Sequence, residues 1–359
     1  MPPSSTLAPA AAPRPPRLPS PRGPLGEAVV TALDADPEGL SGSPEALGRA
    51  TREDRLLTLW TLQELHRGGF AGVEDDAEDA PGVVALRRRL EQELEARLRG
   101  RWLSRAEPTE SAQSAQSAQS AEPLGPAGPP PGAEPGTWAA EAIDGLVAAD
   151  DGPSLARFVQ RRATRAQALE LLRLRSLYHL QESDPVAWLV PRLPVVAKAA
   201  LVELQYDEYG AGDPARLHHH LFARGLEACG VDAAYAAHVD EAPVEILEQV
   251  TTVTMLGARR RLRGAALGHL AAFEATSCVP SRRMAQGLRR LGLPEEIGDY
   301  YREHVLADAV HEQLASRVIC GALLEAEPQL ADDVLFGAWT CLDLEARFAG
   351  RLLDRWAAS

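Results

Sequence analysis

Three observations predict an all-α fold. Apolar residues recur at helical spacing through most of the chain, and Pro and capping residues stand where such stretches would open. Alternating apolar and polar runs of strand type are lacking, with Val250 to Met255 the one β-prone segment.

The elements follow in order. Residues 1–25, rich in Pro, Ala and Ser, are expected to be disordered, because they offer little apolar surface to offset chain entropy. Residues 26–104 read as N-terminal helices packing on the main bundle. Arg52 to Gly68 carries the stripe Leu56, Leu57, Leu59, Trp60, Leu62 and Leu65, and Pro81 opens an Arg/Glu-rich helix from Val83 to Leu103. Residues 105–137, with Ser-Ala-Gln three times over Ser111 to Gln119, read as a flexible linker or insertion.

Residues 138–359 are the expected helical core. Thr164 and Gln167 form a capping-box start for a helix to about Glu182. Pro194 opens a helix ending near Tyr209 at Gly210-Ala211-Gly212. Pro214 starts another, stopped by Gly230, and a short helix is expected after Asp232. The apolar run from Pro243 to Ser277 is expected to kink near Gly257 or Gly264. Pro294 opens a helix continuing past Cys320, and Pro328 opens the last, ending near Trp356.

Composition narrows the function. With 51 acidic and 37 basic residues among 359, the formal charge is −14, which disfavours nucleic acid and anionic membrane surfaces. No apolar run is long enough to span a bilayer, and no secretory signal is evident, so a cytoplasmic protein is expected. Cys229, Cys278, Cys320 and Cys341 are scattered, which fits reduced, buried thiols.

The residues that could carry chemistry are few. His304, Asp308 and His311 fall within an arc of roughly 60° on one helix face. Two imidazoles and a carboxylate there suit a borderline metal such as iron, manganese or zinc; otherwise they form a solvated polar face. Glu208 ends one helix, and His218 follows ten residues later beyond a Gly/Pro break that can aim both inward. Sequence physics does not choose among His218, His219 and His220. Glu274 lies in an apolar helix, where an unpaired carboxylate is costly and calls for a metal or for Arg282 or Arg283. Glu182 alone reads as a surface residue. Arg259, Arg260, Arg261 and Arg263 either bind a substrate carboxylate or form a solvated face. No His has a Glu three positions before it, so the Glu-x-x-His pattern of ferritin-type diiron bundles is missing.

Together these blocks resemble the haem-oxygenase-like non-haem diiron oxidases and oxygenases, often described as iron-containing redox enzymes. The matching segments are Tyr178 to Pro185 with Glu182, Gln205 to Gly210 with Glu208, His218, His269 to Glu274, and Glu303 to Glu312. The resemblance covers about residues 45–104 and 138–356. It implies a haem-oxygenase-like helical bundle in which Glu182, Glu208, His218, Glu274, His304, Asp308 and His311 hold two iron ions, with Glu208 the position that varies most within the wider fold group. It further implies O2 as co-substrate and oxidation of a small organic molecule, with amine N-oxygenation in specialised metabolism the first expectation. An external electron donor and a homodimer are compatible with it. The alternatives are a metal-free enzyme of the same fold, either hydrolase or cofactorless oxidase, working by acid–base chemistry, and a non-enzymatic helical interaction module.

Overall fold

A computed structural model describes residues 15–40, 44–105 and 128–358, without the side chains of residues 38, 44 and 306–310. The described residues contain helices and turns and no strand. The helices are α1 (Pro24–Ala35), α2 (Pro44–Arg49), α3 (Arg52–Arg67), α4 (Pro81–Ser104), α5 (Pro135–Ala149), α6 (Leu155–Arg161), α7 (Arg165–His179), α8 (Asp184–Ala187), α9 (Val195–Glu208), α10 (His218–Ala228), α11 (Val244–Ala258), α12 (Arg263–Arg290), α13 (Glu295–Gln313), α14 (Gly321–Ala326) and α15 (Ala331–Ala357). A π-helical stretch, Leu314–Cys320, joins α13 to α14.

α12 is the central helix and packs against α13, α15 and α6. Its contact with α15 is backbone-close. A Cβ on Gly268 would lie 1.8 Å from the Val334 carbonyl oxygen, and one on Gly337 1.9 Å from that of Ala265. α10 lies on α13, α9 on the π-helical stretch, and α11 on α3, α7 and α8. The β-prone Val250 to Met255 lies inside α11, where most of these side chains are buried, so tertiary packing overrides local strand preference.

Short polar side chains begin several helices, and the capping box expected at Thr164 and Gln167 is among them. Thr51 accepts from the Asp54 backbone N–H, and Thr164 and Gln167 form the full capping box of α7. Asp54, wholly buried, caps a different helix. Its carboxylate accepts the backbone N–H groups of Leu25 and Gly26 at 3.0 and 2.9 Å, closing the start of α1.

Several boundaries differ from expectation. α7 stops at His179, so Glu182 sits in a turn, because Asp184-Pro185 starts the separate short helix α8. Pro214 opens only a 3₁₀ turn, and α10 begins at His218. The short helix expected after Asp232 is a local turn, in which the Asp232 side chain accepts from the Ala234 N–H, followed by a 3₁₀ turn at Val239–Glu241. The run from Pro243 breaks fully at Arg259 to Leu262 instead of kinking at Gly257 or Gly264.

The Pro-rich start lies outside the described residues up to position 14. From residue 15 it is tied to the bundle. Ser20 bonds Asp240 through its backbone N–H and hydroxyl, Arg22 bonds Glu53 and the carbonyls of Val239, Asp240 and Ala242, and Pro19 is buried. Much of the expected linker, residues 106–127, also lies outside the described residues, and α5 begins at Pro135, within the expected 105–137 span. All four cysteines are free thiols; Cys320 and Cys341 are buried and Cys229 and Cys278 half-buried. No described helix is long and apolar enough to cross a membrane.

Candidate metal centre

Five separate elements bring the candidate side chains together. Glu182 comes from the turn after α7, Glu208 is the last residue of α9, and His218 is the first of α10. Glu274 projects from the middle of α12, and His304 and His311 lie two turns apart on α13. Between Glu208 and His218 the chain must double back. Gly210 makes this possible, with φ of 69° and a backbone so close to Arg216 and Leu217 that a Cβ would lie 2.7 Å from their main-chain atoms. The reversal sets His218 Nδ1 3.2 Å from Glu208 Oε2.

The side chains form two groups that could each hold a metal ion. Glu182, Glu208, His218 and His304 each offer an atom within 4.8 Å of the others, and so do Glu208, Glu274 and His311. Glu208 belongs to both groups. Asp308 lies on α13 between the two histidines, but its side chain is outside the described residues. His218 is the buried member of its His run, whereas His220 is exposed. Glu274 lies 3.6 Å from His311, and among the described residues no ion pair joins it to Arg282 or Arg283.

The polar atoms of the cluster fit a cation. Glu182 Oε1, His218 Nδ1 and His311 Nδ1 are buried and have no hydrogen-bond partner. Each faces other atoms of the groups at ion-pair distance: Glu182 Oε1 is 3.8 Å from His304 Nε2, and His311 Nδ1 is 3.6 Å from both Glu208 and Glu274. Orphaned buried polar atoms are expensive. Each belongs to one of the two groups, and a divalent cation in each group, with oxygen and imidazole ligands, would satisfy all three.

Outer partners set the tautomers. His304 Nδ1 bonds the Tyr300 carbonyl at 2.9 Å, which leaves Nε2 facing Glu182. His311 Nε2 bonds Asp207 at 3.3 Å, which leaves Nδ1 facing Glu208 and Glu274. Such backing orients imidazole ligands. The Tyr300 hydroxyl donates to Glu182 Oε2 at 2.7 Å and lies 2.8 Å from His179 Nδ1, and Ser183 donates to Glu208 Oε2 at 2.8 Å.

Charge is divided unevenly in the metal-free cluster. Burial pushes the carboxyls of Glu182 and Glu274 upward. Burial acts the same way on Glu208, but His218 and Ser183 outweigh it and hold that carboxyl at about 2. Against the opposing effect of burial, Glu208 raises His218 to about 9, and Glu274 raises His311 to about 9. Burial lowers His304, and it takes His179 and His269 to about 3 and about 4, so these last two are neutral.

Two cavities flank the cluster. A small one of about 30 Å³ touches Glu182, Glu208 and Glu274 and is otherwise walled mainly by apolar side chains such as Leu204, Leu256 and Phe273. It has room for one or two water-sized molecules. A larger one of about 240 Å³ reaches His304, Tyr300 and His179 from the other side and is walled by Tyr178, Phe273 and Met284.

Sequence reasoning did not find the supporting shell of His179, Ser183, Asp207 and Tyr300. Two signals were present: His179 stands three positions before Glu182, the reverse of the Glu-x-x-His spacing sought, and Tyr300 stands one helical turn before His304. The Arg259 to Arg263 run lines neither cavity at the cluster; Arg259, Arg261 and Arg263 pair with Glu91, Glu95 and Glu327.

No curated protein matches the chain. Among solved structures, a CADD-like protein of unknown function from Nostoc punctiforme PCC 73102 is similar, with 17% identity, a TM-score of 0.47, and coverage of 61% of this chain and 95% of its own. The family described as iron-containing redox enzymes matches residues 169–346, a span that holds all six converging ligand-type residues. Through that span this all-α chain, with its haem-oxygenase-like fold, belongs to the iron-containing redox enzyme family.

Proposed function

We propose that the chain is an O2-activating non-haem diiron oxidase or oxygenase acting on a small organic substrate, with an amine as the substrate class to test first. The observation that carries this reading is the sharing of Glu208 between a four-residue and a three-residue group of buried ligands. The Glu208 carboxylate turns one oxygen toward His218 and the other toward His311, which supports a reading with one ion in each group. Family membership supports the iron-dependent redox role at the coarser level.

Glu182, Glu208, His218 and His304 would hold one iron, and Glu208, Glu274 and His311 the other. Bound there, iron supplies the redox chemistry with O2 that no side chain of this chain provides. The protein residues do the rest. Six side chains from five elements set the spacing of the ligands, and the apolar wall of the small cavity excludes bulk water beside Glu208 and Glu274. Tyr300 holds a proton between Glu182 and His179 at the edge of the larger cavity, where a substrate would lie.

The test is anaerobic titration with Fe(II), counting bound metal, followed by O2 with the optical change recorded. Two irons per chain and an O2-dependent change are expected. Unchanged iron content and oxidation chemistry in both His311→Ala and Glu274→Ala would sink the assignment. Normal activity from protein that takes up no iron would favour acid–base chemistry by the same pocket.

A further inference from the structure

The 240 Å³ cavity says more about the substrate than its size. Among its described lining residues are two acidic side chains, Asp150 and Glu345, and one basic side chain, Arg175. The wall therefore has one more negative than positive group.

Arg175 is already engaged. It bonds Glu345, reaches Gln249 Oε1 at 3.4 Å, and stacks over the Phe348 ring at 4.7 Å, with only 15% of its side chain exposed. Glu345 has more to offer. It accepts from Arg175 and from Gln249 at 3.1 Å, yet 44% of its side chain remains exposed where it lines the cavity. A carboxylate carries about four acceptor sites, so Glu345 keeps capacity for a donor. The Arg175 side chain is only 15% exposed and lies over Phe348, so it presents little surface to an incoming carboxylate. Tyr178, Phe273 and Tyr301 supply aromatic walls, which suit a cation with an apolar body.

We infer that this cavity selects a substrate bearing a positively charged nitrogen, that Glu345 is its anchor, and that the cavity discriminates against substrates bearing a carboxylate. The inference rests on the proposed reading of the neighbouring cluster as the oxidising centre. Arg175 stands one helical turn, about 6 Å, before His179 on α7, so the anchor lies to one side of the cluster. A nitrogen held by a carboxylate stays protonated and has no free lone pair to be oxidised. The atom presented toward His304 and Tyr300 is therefore a different one, a second nitrogen or a carbon of the same molecule. The substrate class is a small molecule with a cationic end, an apolar or aromatic body, and the oxidised position away from the charge.

Binding can be tested in the full-length protein without metal. Phenethylamine and the similarly sized anion 3-phenylpropionate are titrated by calorimetry at neutral pH, with phenethyl alcohol as the uncharged control. The amine is expected to bind more tightly than both. Glu345→Gln is expected to weaken the amine roughly 10- to 100-fold, the worth of one charge-assisted hydrogen bond, while leaving the alcohol unchanged. The wild-type comparison decides the matter even if that variant folds poorly. Equal or tighter binding of the carboxylate, failure of the amine to bind, or full amine affinity in a folded Glu345→Gln variant overturns the inference. Iron uptake is read separately in Glu345→Gln and Glu274→Ala. Amine binding with no iron uptake by wild type would refute the diiron reading and leave the anchor standing.

Discussion

Raising the pH of the metal-free protein is expected to destabilise it well before general alkaline unfolding. His218 and His311 ordinarily titrate near 6.5, and in the folded chain both stand at about 9. A folded value above the unfolded one means that their stabilisation is fully present below pH 6.5 and disappears as the pH rises through 9. Each displacement corresponds to about 3 kcal/mol. The two histidines share Glu208, so their sum is less than additive, and about 3 to 5 kcal/mol is expected together. The low value of Glu208 is the same His218 interaction seen from the carboxylate side and is not counted again. Burial of Glu182 and Glu274, which raises their values, also removes stability as the pH rises. The assay is urea unfolding followed by helical circular dichroism, with chelator, at about pH 6 and about pH 9.5. Iron must displace the same protons, so its affinity is expected to rise over that interval while the metal-free protein weakens. A metal-free unfolding midpoint that is flat across the range, or one that moves equally in His218→Gln plus His311→Gln, would refute the reasoning.

Other outcomes follow from the same contacts. Glu208→Ala removes the residue common to both groups, so bound iron is expected to fall to one or fewer per chain by elemental analysis after anaerobic loading. Tyr300→Phe removes the donor to Glu182 and is expected to cost about 1 to 2 kcal/mol in chemical denaturation while iron content is kept. Glu248→Gln leaves Arg52, Arg97 and Arg347 around a neutral amide with no exposed side-chain surface; a loss of about 3 to 5 kcal/mol is expected in the same assay. Gly268→Ala forces a methyl group into the Val334 carbonyl and is expected to cost about 3 kcal/mol, read as a drop in melting temperature, whereas Gly100→Ala, with open space at its Cβ, is expected to be neutral or mildly stabilising.

Local signals were legible wherever one helix carries the information. The all-α class followed from periodicity, α3 from the apolar stripe within Arg52 to Gly68, and the starts of α4 and α7 from Pro81 and the Thr164 capping box. His304 and His311 could be paired from spacing alone, because both lie on α13. Glu274 stood out because a carboxylate in an apolar stretch demands a partner. Its partner, His311, comes from another helix and could not be named from the residues nearby.

What the sequence determined by itself was the supply of parts: helices with apolar faces, and ligand-type residues at positions where burial makes them costly. The tertiary structure decided their convergence. It ended α7 early so that Glu182 turns in from a loop, used Gly210 to double the chain back so that His218 rather than His219 or His220 meets Glu208, and backed His311 with Asp207 from α9. It also placed Glu345 of α15 and Arg175 of α7 on one cavity wall, residues 170 positions apart in the chain. Helix formation is governed by neighbours within a few positions, whereas a metal centre and its pocket depend on backbone approach between distant elements, such as Gly268 against Val334, that no local pattern encodes.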